Sequence, residues 1–263
     1  MPSSLEDGLC NDCSPVTCFG GAGLLPRYEL MMNAKQILKL SVDILMTILL
    51  LLLMAFMLTQ QKVHEWLGTG MLVLFVIHHL LNKNWFKAFA HGSYSPLRIF
   101  QTLIAALSFL SMLGSMISGI MMSRYVFAWL PFHGGLVWAR TLHILFAYWG
   151  FFFLSVHLGL HWGMLMGILR NITGLRTCPS SGRVMLRILS WLIAVYGIYS
   201  FCKHRIADYL FLKNTFVFFD YPQSPIQFFA DYLAMMGLWI FLSHNICKCF
   251  RRFTTPKGGR INQ

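Results

Sequence analysis

Of the ten histidines in the chain, two pairs share one separation: His64 and His78 stand fourteen residues apart, as do His143 and His157. At 3.6 residues per turn, fourteen residues make just under four turns, so each pair falls on one helix face with a rise of about 21 Å. If the two helices run in the same direction, His64 faces His143 at one depth and His78 faces His157 at the other. One imidazole from each of two facing helices is what a six-coordinate haem iron requires. Two such pairs, four turns apart, would hold two haems, and full coordination disfavours oxygen chemistry at the metal. A zinc ion fits worse, because pairs separated by about 21 Å cannot converge on one centre. Histidine inside a membrane is costly and points to function.

The neighbouring residues extend the pattern. His79 adjoins His78 but lies about 60° off the fourteen-residue register, so His78 is the expected ligand. His161, one turn beyond His157, is a substitute ligand or a hydrogen-bond donor to a haem propionate or a quinone head. Gly68, four after His64, and Gly150, midway between His143 and His157, either make room for porphyrin edges or allow close helix packing. Ser111, Ser115 and Gly119 are assigned to packing. Arg140, three residues before His143, is placed to pair with a propionate or to sit at the membrane interface. Glu65 reads as a solvated carboxylate at a helix start, the alternative being a proton acceptor for quinol oxidation. Asp43, a carboxylate inside an apolar run, could share a polar pocket with Asn82 and His161, with Lys39 its neutralising partner one turn away. Glu65 and Asp43 are thus the candidate proton-handling groups. His91, His133, His204 and His244 suggest no role.

These residues need elements to hold them. The 263-residue chain is 57% apolar, 15% aromatic and only 11% charged, with a mean hydropathy of +0.61. That excludes both a soluble globule and a disordered chain. Six stretches are long and apolar enough to span a bilayer: Ile37 to Leu58, His64 to Asn82, Ile99 to Met122, Val137 to Leu169, Val184 to Cys202, and Ile226 to Cys247. Their apolar runs do not alternate, so helices and not barrel strands are expected. The fold class is an all-α membrane protein of six transmembrane helices, a four-helix haem-binding bundle plus two C-terminal helices. Fifteen of the 21 Lys and Arg fall on one side of these spans and six on the other, which puts both termini in the cytoplasm. The net charge of +12 sits beside apolar runs and meets lipid headgroups, not nucleic acid.

Four segments follow. Residues 1–31 form a cytoplasmic tail, 32–170 the di-haem bundle, 171–250 the two added spans, and 251–263 a basic cytoplasmic tail. The first tail has no cleaved signal in the right order, and Met31–Met32 is a plausible alternative start. Of seven cysteines, Cys10, Cys13 and Cys18 form too weak a pattern for a metal site and read as free thiols. Loops 82–91 and 173–183 are polar and inner. The outer segments 123–135 and 203–223 are aromatic, with residues 216–222 of the latter expected flat on the membrane and Tyr125 and Trp129 as interfacial anchors.

The His64-x3-Gly68 start and the two His-x13-His spans resemble the four-helix core of di-haem cytochrome b proteins, such as the membrane subunits of respiratory bc complexes, hydrogenases and formate dehydrogenases. A closer resemblance is to small, largely uncharacterised bacterial membrane proteins, through Asp43 with Met46, His64-Glu65 with Gly68, and Asp231-Tyr232-Leu233, over roughly Met32 to Phe250. The resemblance implies two haem b groups, an exchange of electrons with the quinone pool, and residence in the bacterial inner membrane; the spacing alone shows none of these. No nucleotide fingerprint follows a strand, so a nicotinamide or flavin electron source would be a separate redox subunit. Rival readings are a transmembrane reductase of ferric iron or superoxide, a haem-binding anchor subunit, and a non-haem transporter or scaffold.

Overall fold

The structure, a computed structural model, describes residues 34–84, 95–131, 134–173, 180–214 and 223–254. The tail cysteines, His91, His133 and residues 216–222 lie outside the described residues. Among those described there are eight helices and no strand: α1 (Ala34–Met54), α2 (Phe56–Leu81), α3 (Pro96–Met122), α4 (Leu136–Leu160), α5 (Trp162–Thr173), α6 (Ser180–Lys203), α7 (Ile206–Leu210) and α8 (Pro225–Thr254).

The helices follow from local chemistry. The α1 segment has neither Pro nor Gly and runs through an unbroken Leu/Ile stretch. Ser95 caps α3, its Oγ accepting from the Arg98 N–H at 3.3 Å, with Pro96 at the first helical position. Only Ala55 separates α1 from α2, and Gln60 (φ 60°, ψ 167°) turns the chain back. That backbone region is strained for any residue but glycine.

Five helices are long and apolar enough to cross a membrane: α1, α3, α4, Val184–Lys203 of α6 and Pro225–Arg251 of α8. The chain is an integral, multi-pass, all-helical membrane protein. The sixth expected span corresponds to α2, which has the length at 26 residues. Its Gln60, Gln61, Lys62, Glu65 and three histidines dilute the apolar content, so it does not stand with the other five. The apolar side chains of α6 (Leu186, Ile188, Leu192 and Val195) point outward, as lipid requires.

Two bodies of packing result. In the first, α3 lies along α4, α4 along α8, and α8 along α6. Glycines bring these helices close. A Cβ on Gly159 would collide with Ser243 and the Ile240 backbone of α8, and one on Gly197 with the Ala234 carbonyl. In the second, α1 and α2 form a hairpin. The backbones of the hairpin and the first body approach only sparsely, α2 and α4 barely at all, but Leu50, Ala55, Met71 and Phe75 of the hairpin segment join Met112, Ile144, Tyr148 and Phe151 in one buried cluster.

One expectation about the spans changes. The fourth span breaks at His161, which caps α4 (φ −95°, ψ 3°) before α5 begins. After α6 the short helix α7 tucks Ile206, Tyr209 and Leu210 into the core. Trp149 Nε1 donates to the Leu210 carbonyl at 3.0 Å, and Tyr209 stacks on Tyr148 with ring centres 4.6 Å apart. Apolar contact and a satisfied indole N–H together outweigh a surface position.

Candidate functional site

His64 of α2 and His143 of α4 face each other at one end of these two helices. The ring centres of His64 and His143 lie 6.1 Å apart, with planes inclined at 74°. Four turns along, His157 interacts electrostatically with His78, His79, His161 and Asp43. His64 therefore lies at the depth of His143, and the His78–His79 end of α2 at the depth of His157, so α2 and α4 run in the same direction.

Each pair contains one anchored ring. His143 Nδ1 donates to the Ser115 carbonyl at 2.9 Å. The Ser118 hydroxyl lies 3.2 Å from the same nitrogen, and the ring sits over Gly119, where a Cβ would approach its Cε1 to 3.3 Å. At the other end His78 Nδ1 donates to Asp43 Oδ1 of α1 at 2.7 Å. Each of these contacts occupies Nδ1 and leaves Nε2 available, which is how a metal-binding imidazole is oriented. The other two rings differ. The Nδ1 atoms of His64 and His157 are buried with no hydrogen-bond partner, a costly state unless something else completes the site.

The remaining site residues divide. His79 also interacts electrostatically with His157; its Nδ1 donates to the Phe75 carbonyl of its own helix at 2.7 Å, and its ring contacts Phe75 and Phe109 of α3. His161 stays against His157, ring centres 4.9 Å apart. Asn82 caps α2, both its backbone N–H and its side-chain amide donating to the His78 carbonyl. Asp43 pairs with His78 and not with Lys39. A Cβ at Gly150 would meet Ser111 of α3, and one at Gly68 would meet Leu53 of α1, each at ordinary contact distance. Arg140 is exposed in the first turn of α4.

Glu65 is not a solvated carboxylate. It accepts from the Ser123 hydroxyl at 2.7 Å, from the N–H groups of Arg124, Tyr125 and Val126 at 2.9, 2.9 and 3.1 Å, and from Gln61 Nε2 at 3.1 Å. The carboxylate is a fastener that closes the loop after α3 onto the start of α2.

Two features escaped the sequence. Ser115 and Ser118 orient His143, although their only signal was a ladder of serines at helical spacing along α3. His204, which suggested no role, joins a polar hub around Asp231. That carboxylate is 0% exposed. It accepts from Tyr196 Oη at 2.5 Å, Ser200 Oγ at 3.4 Å, Lys203 Nζ at 2.9 Å and Gln223 Nε2 at 2.8 Å, with His204 Nε2 also at 2.8 Å. Among the described residues no group of three or more His, Cys, Asp or Glu side chains gathers to hold a bare metal ion; an iron already held in a porphyrin needs only two imidazoles.

Comparison with protein-family models, with characterised proteins and with solved structures returns no match for this chain.

Proposed function

We propose that this chain is a transmembrane electron carrier of the cytochrome b kind, holding one haem b between His64 and His143 and a second between His78 and His157. The observation that carries the proposal is the His64–His143 separation of 6.1 Å across two helices whose backbones stay apart. Two imidazoles sharing one metal, each bonded through Nε2 at ~2 Å on opposite sides, place their ring centres ~6 Å apart.

The haems supply one-electron chemistry; the chain's residues hold and tune it. His143 and His78, anchored by Ser115 and Asp43, fix the ring planes, while His64 and His157 complete each pair from the facing helix. The apolar wall formed by Phe75, Phe109 and Met112 keeps water from the space between the ends. In this reading α2 is the sixth span and both termini are cytoplasmic, on the weight of the basic residues. The likeness to di-haem cytochromes favours the bacterial inner membrane, the quinone pool as the partner at one face, and a separate redox protein or small acceptor at the other.

The test is the visible spectrum of the detergent-purified protein, oxidised and then dithionite-reduced, with haem quantified against protein. Two haems per chain with a sharp reduced band are expected. His143→Ala and His78→Ala should each leave one haem, and His79→Ala should leave both. A colourless protein after expression with ample haem would sink the proposal.

A further inference from the structure

The two facing pairs are anchored by different chemistry, and the difference has a redox consequence. We propose that Asp43 is a positioning residue for His78, and that its carboxylate sets the haem of the His78–His157 end at a lower potential than the haem of the His64–His143 end. This rests on the di-haem reading above.

At the His143 end the Nδ1–H group meets neutral partners, the Ser115 carbonyl at 2.9 Å and the Ser118 hydroxyl at 3.2 Å. At the His78 end the same atom meets a carboxylate oxygen at 2.7 Å, brought from α1 across 35 residues of sequence. A carboxylate on Nδ1–H draws the proton towards itself and enriches the ring, so Nε2 becomes the stronger donor. Stronger donation and a nearby negative charge both favour ferric over ferrous iron, which lowers the potential. Asp43 lies inside the α1 span, where low permittivity enlarges the effect of a charge. The same carboxylate also interacts electrostatically with His157 and His161, so it biases both sides of that end.

Glu65 lies beside His64 and interacts with it electrostatically, so a negative charge acts at both ends, and the asymmetry lies in the hydrogen bond to Nδ1–H. Its oxygens are turned to Ser123, to the three backbone N–H groups after it and to Gln61, and no histidine is among its hydrogen-bond partners. In a protein carrying a single electron, ferrous iron at the His78 end would become ferric as ferric iron at the His143 end becomes ferrous. One electron crosses, with no proton or bond exchanged, and it rests at the end away from Asp43.

Potentiometric titration of the purified holoprotein tests this. The wild type should show two waves. His143→Ala, which keeps the His78-end haem, should retain the lower wave, and His78→Ala the upper. Asp43→Asn should move the lower wave up towards the upper one while the upper stays, and Asp43→Glu, which restores the carboxylate, should keep it low. If Asp43→Asn loses a haem, the positioning role stands and the potential is read from Asp43→Glu. A reversed order in the single-haem variants, an unmoved lower wave in Asp43→Asn with both haems bound, or a raised one in Asp43→Glu would overturn the proposal. A wild type without haem would instead overturn the reading beneath it.

Discussion

Two places in this molecule hold buried polar groups between helices, and they do so in opposite ways. Where α6 meets α8, Asp231 is fully enclosed, and five side chains close on its two oxygens. The helices there touch through glycine at Gly197. Where α2 faces α4, the backbones stay apart and two histidine nitrogens are buried without partners. Hydrogen bonds that satisfy one another lock a fold. One region has its buried polar atoms satisfied by the chain, and the other leaves two of them unsatisfied.

Substitutions can break that contrast. The largest effect is expected at the satisfied region. Asp231→Ala strands Lys203 and His204 beside a void, and removing one partner of a buried charged network typically costs about 3–5 kcal/mol. The expected outcome is a variant that melts far below the wild type in detergent, or fails to accumulate in the membrane. A melting curve matching the wild type would show that the hub contributes little.

Glu65→Ala should act less strongly and more locally. The N–H groups of Arg124, Tyr125 and Val126 lose their shared acceptor, but this loop reaches the surface and water can replace part of what is lost, so about 1 kcal/mol is expected. The readout is hydrogen exchange: protection of those three amides should fall while that of α3 and α4 stays. The smallest effect, of opposite sign, belongs to the unsatisfied region. In protein made under haem limitation, His157→Leu removes an orphaned nitrogen and fills the space with carbon, and should raise stability by up to about 1 kcal/mol. The same change in Asp231 would be ruinous, and that difference sharpens the comparison.

Much of this architecture was legible without coordinates. Lipid solvation acts residue by residue, so five spans announce themselves in runs of Leu, Ile, Met and Phe. The span that did not stand with them is the one carrying His64, His78 and His79, where the groups suited to chemistry erase the apolar signal that identifies a helix. The alignment of the two histidine pairs was legible too, because a helix repeat of 3.6 residues converts spacing into direction.

The partners of those residues were not. Asp43 reads most naturally with Lys39, one turn away on its own helix, yet it reaches His78 from another helix. Glu65 reads as a solvated group at a helix start, yet it binds a loop about sixty residues on. His204 and Gln223 carry no signal until Asp231 lies between them. Local sequence thus determined that this chain is a helical membrane protein with two co-directional histidine faces, since solvation and helical period depend only on residues near one another. Tertiary structure decided which side chains anchor those histidines, because hydrogen bonds between helices depend on the rotation and depth at which each helix seats, and glycine contacts and a kink at Gln60 set both.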